Sequence, residues 1–209
     1  MARYTGPACR ICRRQGMKLF LKGTKCVTEK CPFNKRGFAP GQHGKDQRIK
    51  MSDYGLQLRE KQKAKKLYGV LERQFRKTFQ TASRATGVTG EKLLELLERR
   101  LDNVVYRLGF ATSRSQARQI VCHGHVKVNA HRVDIPSFEV KPGQEIRLAG
   151  GEKLLKLVKD NLELTKERSV PSWLSRHPTE FSGSVVGIPA RADVQFPIQE
   201  QLIVELYSK

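Results

Sequence analysis

Four of the five cysteines fall in one short stretch, CRICRRQGMKLFLKGTKCVTEKC, from Cys9 to Cys31. Cys9 and Cys12 are two residues apart, Cys26 and Cys31 four, and thirteen residues separate the pairs. Each close pair can turn two sulfurs on one centre, and the intervening loop can bring the pairs together as a tetrahedral four-thiolate site of the kind that holds structural zinc. Four thiolates also suit an iron–sulfur cluster, and spacing alone leaves that alternative open. With all four positions cysteine, no coordination site remains for a catalytic water, so the expected role of the metal is structural. The same window carries Arg10, Arg13, Arg14, Lys18, Lys22, Lys25 and Lys30 against a single acid, Glu29. A metal-folded module with basic loops is the expectation.

A second constellation lies in TSRSQARQIVCHGHVKVN. Ser113 and Gln116 form a capping box for a short helix ending near Cys122, with Gly124 as the stop. On that helix Arg114 and Arg118 stand one turn apart, while Ala117, Ile120 and Val121 point toward a core. Forked arginine donors suit phosphate, and Ser113, Ser115 and Gln119 can add hydrogen bonds at a helix N-terminus that itself attracts anions. His125, Lys127, His131 and Arg132 flank the helix. His123 and His125 in CHGHV read as partner-contacting or surface histidines rather than as a metal pair.

The whole chain fits a polyanionic partner. Among 209 residues, 40 lysines and arginines face 20 acids, a formal net charge of +20. Residues 1–50 hold thirteen basic and two acidic side chains, whereas 151–209 balance at eight and eight. Charge needed only for solubility would not be graded in this way, so nucleic acid against the N-terminal half is the leading partner. No apolar run approaches the roughly 18 residues that span a bilayer, and the start lacks a secretory h-region, so a cytoplasmic, reducing setting is expected, one that favours thiolate–metal bonds over disulfides.

The elements that must position these groups follow from apolar spacing. Helices are expected over about 52–68 and 70–83, then a long one after Thr89, with Leu93, Leu97, Leu101, Val104, Val105 and Leu108 on one face and Gly109 as the stop. Alternation at Val126/Val128, Val133/Ile135 and Ile146/Leu148, with turns at 129–131 and 142–143, predicts a small antiparallel sheet. Another amphipathic helix spans about 151–167, a turn-rich stretch covers 170–197, and IQEQLIVELYSK closes the chain as a short helix. That helix, with Ile198, Leu202, Ile203 and Leu206 facing one way, is expected to cover the narrow stripes ending in Leu67, Phe75 and Phe79. Residues 32–50, rich in glycine, proline and basic side chains, read as an arm ordered by an anionic partner. No GxxxxGK[ST], HExxH or GxSxG is present, which argues against an enzyme; a DNA-binding zinc regulator is the other rival.

RRLDNVVYRLGFATSRSQARQIVCHGHVKVN closely resembles the RNA-binding domain named after the S-four family of bacterial small-subunit ribosomal proteins. FAPGQHG, LREKQKAKKLYG and PARADVQFPIQEQLIVELYSK extend the resemblance along the chain. With this sequence's own thiols making a four-cysteine metal-bound N-terminal module over 1–50, it implies an α+β protein with a helical domain over 51–98 completed by 163–209 and an inserted helix-turn-helix plus small antiparallel sheet over 99–162. It implies a structural, non-enzymatic role: primary binding of 16S ribosomal RNA, nucleation of the subunit body, and translational accuracy with neighbouring proteins S-five and S-twelve, with S-three a further neighbour and messenger RNA a target of autoregulation. The expected metal ligands are Cys9, Cys12, Cys26 and Cys31, holding one zinc ion or an iron–sulfur cluster. The expected RNA contacts are Arg10, Arg13, Arg14, Lys22, Arg36 and Arg107 with Ser113, Arg114, Ser115, Gln116, Arg118 and Gln119, then His123, His125, Lys127 and Arg132. Many relatives lack the cysteine quartet, so the metal rests on this sequence's own thiols.

Overall fold

The computed structural model describes residues 3–45, 50–177 and 179–208. The chain divides into two compact units, one of residues 1–93 with 196–209 and one of 94–195. The second is therefore inserted in sequence between two parts of the first.

In the N-terminal unit, α1 (Ala8–Gln15) is stopped by Gly16 in the left-handed conformation, and a short 3-10 turn, Gly23–Cys26, and α2 (Pro32–Lys35) follow. Residues of the expected arm are held by this module: Arg13 donates to the Phe38 carbonyl at 3.0 Å and lies 5.1 Å from the Phe38 ring centre. Residues 46–49 of that arm lie outside the described residues. Helix α3 (Asp53–Leu67) starts at Ser52, whose hydroxyl accepts from the Gly55 N–H, and α4 (Glu72–Arg84) follows a turn at Gly69. Leu67, Phe75 and Ala82 are fully buried, whereas Leu56 is exposed.

The C-terminal helix, numbered α9 below, spans Glu200–Tyr207 and returns to this unit. Its Gln57-facing side places Glu205 Oε2 3.0 Å from the Gln57 amide, and the Tyr207 ring stacks on Phe79 with centroids 4.5 Å apart. Ile203 is wholly buried, while Leu202 and Leu206 are half-buried. The helix is thus rotated from the expected face: Tyr207 meets the aromatic pair Phe75 and Phe79, Ile203 one turn before it is wholly buried, and the leucines lie to the side.

In the inserted unit the expected single helix is two. Helix α5 (Thr89–Glu98) contains the division between Leu93 and Leu94, and α6 (Leu101–Arg107) begins after a break at Arg99 and Arg100. The backbone there pairs with another segment: Val140 N–H donates to the Arg99 carbonyl at 2.9 Å, Leu101 N–H to Phe138 at 2.8 Å, and Arg100 bridges Glu139. These bonds replace the helical ladder at no cost to the apolar stripe, since Leu97, Leu101, Val104, Val105 and Leu108 all remain buried. Helix α7 (Arg114–Cys122) follows, joined through Gly109 at φ +83, where an added Cβ would sit 2.9 Å from both Thr165 Oγ1 and Arg176 Nη1.

The sheet is antiparallel, with five strands: β1 (Val126–Val128), β2 (His131–Arg132), β3 (Glu145–Leu148), β4 (Leu174–His177) and β5 (Ser182–Val185), in the order β2-β1-β3-β5-β4. The alternation at Val133/Ile135 is not a strand pair; β2 ends at Arg132 and Ile135 is exposed. After α8 (Glu152–Leu164) the chain does not leave this unit, as the expected boundary at 162 required. Residues 163–195 stay, because β5 pairs with β3 through Glu145↔Ser184 and Ile146↔Gly183. Gly183 lets β5 lie close against the end of α6: a Cβ there would meet the Leu108 side chain at 2.7 Å. Val126, Val128, Ile146, Leu148, Leu174 and Val185 join α6, α7 and Trp173 in one core.

Candidate nucleic-acid interface

Helix α7 is built as its sequence requires. Ser113 Oγ accepts from the Gln116 N–H at 3.3 Å, and Gln116 Oε1 accepts from both the N–H and the hydroxyl of Thr112 at 2.8 Å. Gln116 therefore closes the cap one residue earlier than a strict capping box does. Both side chains, expected at RNA, are engaged in holding the helix start, and Ser113 is buried.

Arg114 and Arg118 do share a face, and that face is turned onto α6. Arg118 is buried, its Nη1 donating to Asp102 Oδ2 at 3.1 Å, and Asp102 also takes Arg100 at 3.1 and 2.7 Å. Arg114 Nε donates to Asn103 Oδ1 at 2.8 Å and its guanidinium lies 4.4 Å from the Tyr106 ring centre. Arg107, another expected RNA contact, is buried in a two-pronged bond to Glu98 at 3.0 and 2.7 Å, and Asn103 donates to the same carboxylate at 2.7 Å. Arg107 and Arg118, both expected at phosphate, are each desolvated and paired inside the unit. Arg168, which sequence reading did not single out, lies 4.3 Å from the Tyr106 ring centre and donates to the carbonyls of Tyr106, Ala111 and Thr112. Burial, with Arg114 and Arg107 nearby, pushes its pKa down.

What α7 leaves outward is Ser115, Gln119, Cys122 and His123, one exposed strip. His125 is half-buried, its ring 6.1 Å from that of His123. The sheet adds charge. Lys127 is the cross-strand partner of Arg132 on one side and of Arg147 on the other, and all three are exposed. Directly opposed residues share a face, so three cations from three strands stand in a row, an arrangement that repels itself unless an anion lies over it. Arg147 has acidic company, Glu145 at 3.3 Å and Glu180 at 3.8 Å, both exposed pairs of small worth. Arg147 was missed because β-register, not residue type, sets it beside Lys127.

In the N-terminal unit Arg10, Arg14, Lys22 and Arg36 are exposed, and Arg13 is half-buried against Phe38. All five cysteines are free thiols, with Cys12, Cys26 and Cys31 buried and Cys9 half-buried. Leu19 N–H donates to Cys12 Sγ at 3.5 Å and Lys22 N–H to Cys26 Sγ at 3.3 Å. Burial pushes the Cys12 and Cys26 thiols up despite these bonds, and Cys9 and Cys31 raise both further through charge. Among the described residues, no three or more His, Cys, Asp or Glu side chains are gathered as a metal-holding group.

A helix-turn-helix on an antiparallel sheet, with an outward polar strip and a cross-strand row of cations, defines a nucleic-acid-binding protein. Residues 3–98 match the ribosomal protein S4/S9 N-terminal domain and residues 99–146 the S4 domain. The whole chain is similar to small ribosomal subunit protein uS4 of Thermoanaerobacter sp., 60% identical over 209 residues and covering 100% of both chains. The uS4 protein of Acidobacterium capsulatum is 60% identical, and that of Dictyoglomus thermophilum 59%, each over the same full length. The chain belongs to the uS4 family of small ribosomal subunit proteins. Among the described residues no helix is long and apolar enough to cross a membrane.

Proposed function

We propose that this protein is a structural, non-enzymatic component of the small ribosomal subunit in the cytoplasm, and that it binds 16S ribosomal RNA directly. Full-length identity to uS4 proteins carries the reading, and the exposed row Arg132, Lys127, Arg147 supports it. The finer roles are nucleation of the subunit body and a share in translational accuracy beside proteins S-five, S-twelve and S-three, with messenger RNA as a target of autoregulation. Binding of the full chain to 16S RNA and to duplex DNA at equal salt tests the core of this reading. Preference for the folded RNA is expected; equal affinity for both would sink it.

The finer reading of the front module is a structural zinc ion on Cys9, Cys12, Cys26 and Cys31, with an iron–sulfur cluster as the alternative. The donor chemistry supports it: four soft thiols in one small module, two of them already accepting backbone N–H bonds. A metal would supply charge compensation that lets the thiols ionise. Metal content of freshly purified protein, with its visible absorbance, distinguishes zinc, a cluster and neither. Under this reading Cys26→Ser exposes the first 45 residues to protease and spares the inserted unit. Unchanged resistance in the variant would count against any metal.

A further inference from the structure

Within the N-terminal unit a cavity of about 500 Å3 lies between α1 and α3. Arg10 and Arg14 reach it from α1, Arg59 and Lys66 from α3, and its lining contains no acidic side chain. The Arg59 guanidinium is held in position, since its Nη1 donates to the Arg14 carbonyl at 2.9 Å. Lys66 Nζ sits 3.9 Å from the centre of the Tyr4 ring. Burial lowers the pKa of Arg59, with Arg14's charge adding to it, and burial lowers that of Lys66, with Lys65 adding. Four cations gathered round one half-enclosed space repel one another, and an anion within it would relieve that repulsion.

The remaining walls limit which anion. Tyr4, Ile11 and Leu58 are apolar surface that a bare inorganic ion would leave unused, and the Gln15 and Gln62 amides can each both donate and accept. The volume lies within the range of small-molecule pockets, about 300 to 1,000 Å3. A charged group, a flat apolar body and a hydrogen-bonding edge together describe a nucleoside phosphate. We propose that this cavity receives one unstacked nucleotide of the bound RNA, with its phosphate on Arg10, Arg14 and Arg59 and its base against Tyr4, Ile11 and Leu58. This rests on the RNA-binding reading above and adds to it a subsite that accepts a base taken out of its stack.

The test uses the full chain and 16S RNA, with Gln62→Trp to fill the cavity at constant charge and Gln62→Glu to set a carboxylate in it at nearly native size. Two readouts are taken: affinity across a salt series, and 2′-hydroxyl acylation of the RNA at single-nucleotide resolution. With the parent protein one nucleotide should become sharply reactive on binding. Q62W should abolish that signal and weaken binding about tenfold, the scale of one lost base contact, while the salt slope stays near the parent's. Q62E should also lose the signal and, if Q62W does not fold, carries the comparison alone. Parental affinity and reactivity in both variants would overturn the proposal and leave RNA binding itself intact. Uptake of free adenosine or guanosine monophosphate that both variants abolish, with the RNA pattern unchanged, would assign the cavity to a free nucleotide and overturn it as well. A parent chain that does not bind 16S RNA would defeat the RNA reading itself, and the proposal with it.

Discussion

The Arg118 guanidinium donates to the Asp102 carboxylate at 3.1 Å, and both side chains are buried. An arginine placed by sequence on the outward face of α7 is therefore a tie between α7 and α6. Asp102→Ala leaves Arg100 and Arg118 desolvated without their shared acid, and unfolding in urea should show a loss of about 3 to 5 kcal/mol. Arg118→Ala should likewise lower stability. In variants that remain folded, the salt slope of RNA binding should not shrink, which separates this residue from one that neutralises phosphate.

The exposed row should behave in the opposite way. Lys127→Ala and Arg132→Ala should leave unfolding nearly unchanged, because neither side chain is buried. Each should weaken RNA binding and reduce the logarithmic salt slope by about 0.7, the single-strand value per phosphate contact. An unaltered slope in the double variant would remove the sheet from the interface.

Helix α9 offers a test of packing. Ile203 is wholly buried, so Ile203→Ala should cost about 2 to 5 kcal/mol. Leu202→Ala, at a half-buried position, should cost clearly less. Hydrogen exchange in α3 and α4 should rise in the first variant and stay near parental in the second. The reverse order would mean that the helix docks by its leucines.

Glu72 joins α3, α4 and α9 through charge. Burial works to raise its carboxyl, but hydrogen bonds from Lys61, Lys65 and Tyr207 outweigh that and hold it down at about 2. An acid whose folded pKa lies below its unfolded value, about 4.3, stabilises the fold fully above the unfolded value and loses that stabilisation as pH falls through the folded one. The side chain is 45% exposed, so screening should limit the effect to about 1 kcal/mol. Glu72→Gln should thus be less stable than the parent near neutral pH, and the gap should close between about pH 4.3 and pH 2. A constant gap across that range would assign the loss to something other than the charge.

Local chemistry was readable from residue order alone. Ser113 at the start of α7, Ser52 at the start of α3, and the alternation at Val126/Val128 and Ile146/Leu148 all act within a few residues, and each produced the expected element, whereas the apolar spacing from Leu93 to Leu108 marked the buried face but not the break in the helix that carries it. Basic composition, likewise, indicated a polyanion without any knowledge of the fold. The tertiary structure decided what depends on residues far apart in the chain. The 136–140 segment broke one helix into α5 and α6 by offering Arg99 and Leu101 other backbone partners. Pairing of β5 with β3 kept 163–195 in the inserted unit, although nothing in the turn-rich sequence between Val170 and Pro197 announces strands. Asp102 and Glu98 claimed Arg118 and Arg107, and cross-strand register brought Arg147 beside Lys127. Whether an arginine faces phosphate or a buried carboxylate is a matter of which side of its helix meets a neighbour, and helical period fixes only that two such residues point the same way.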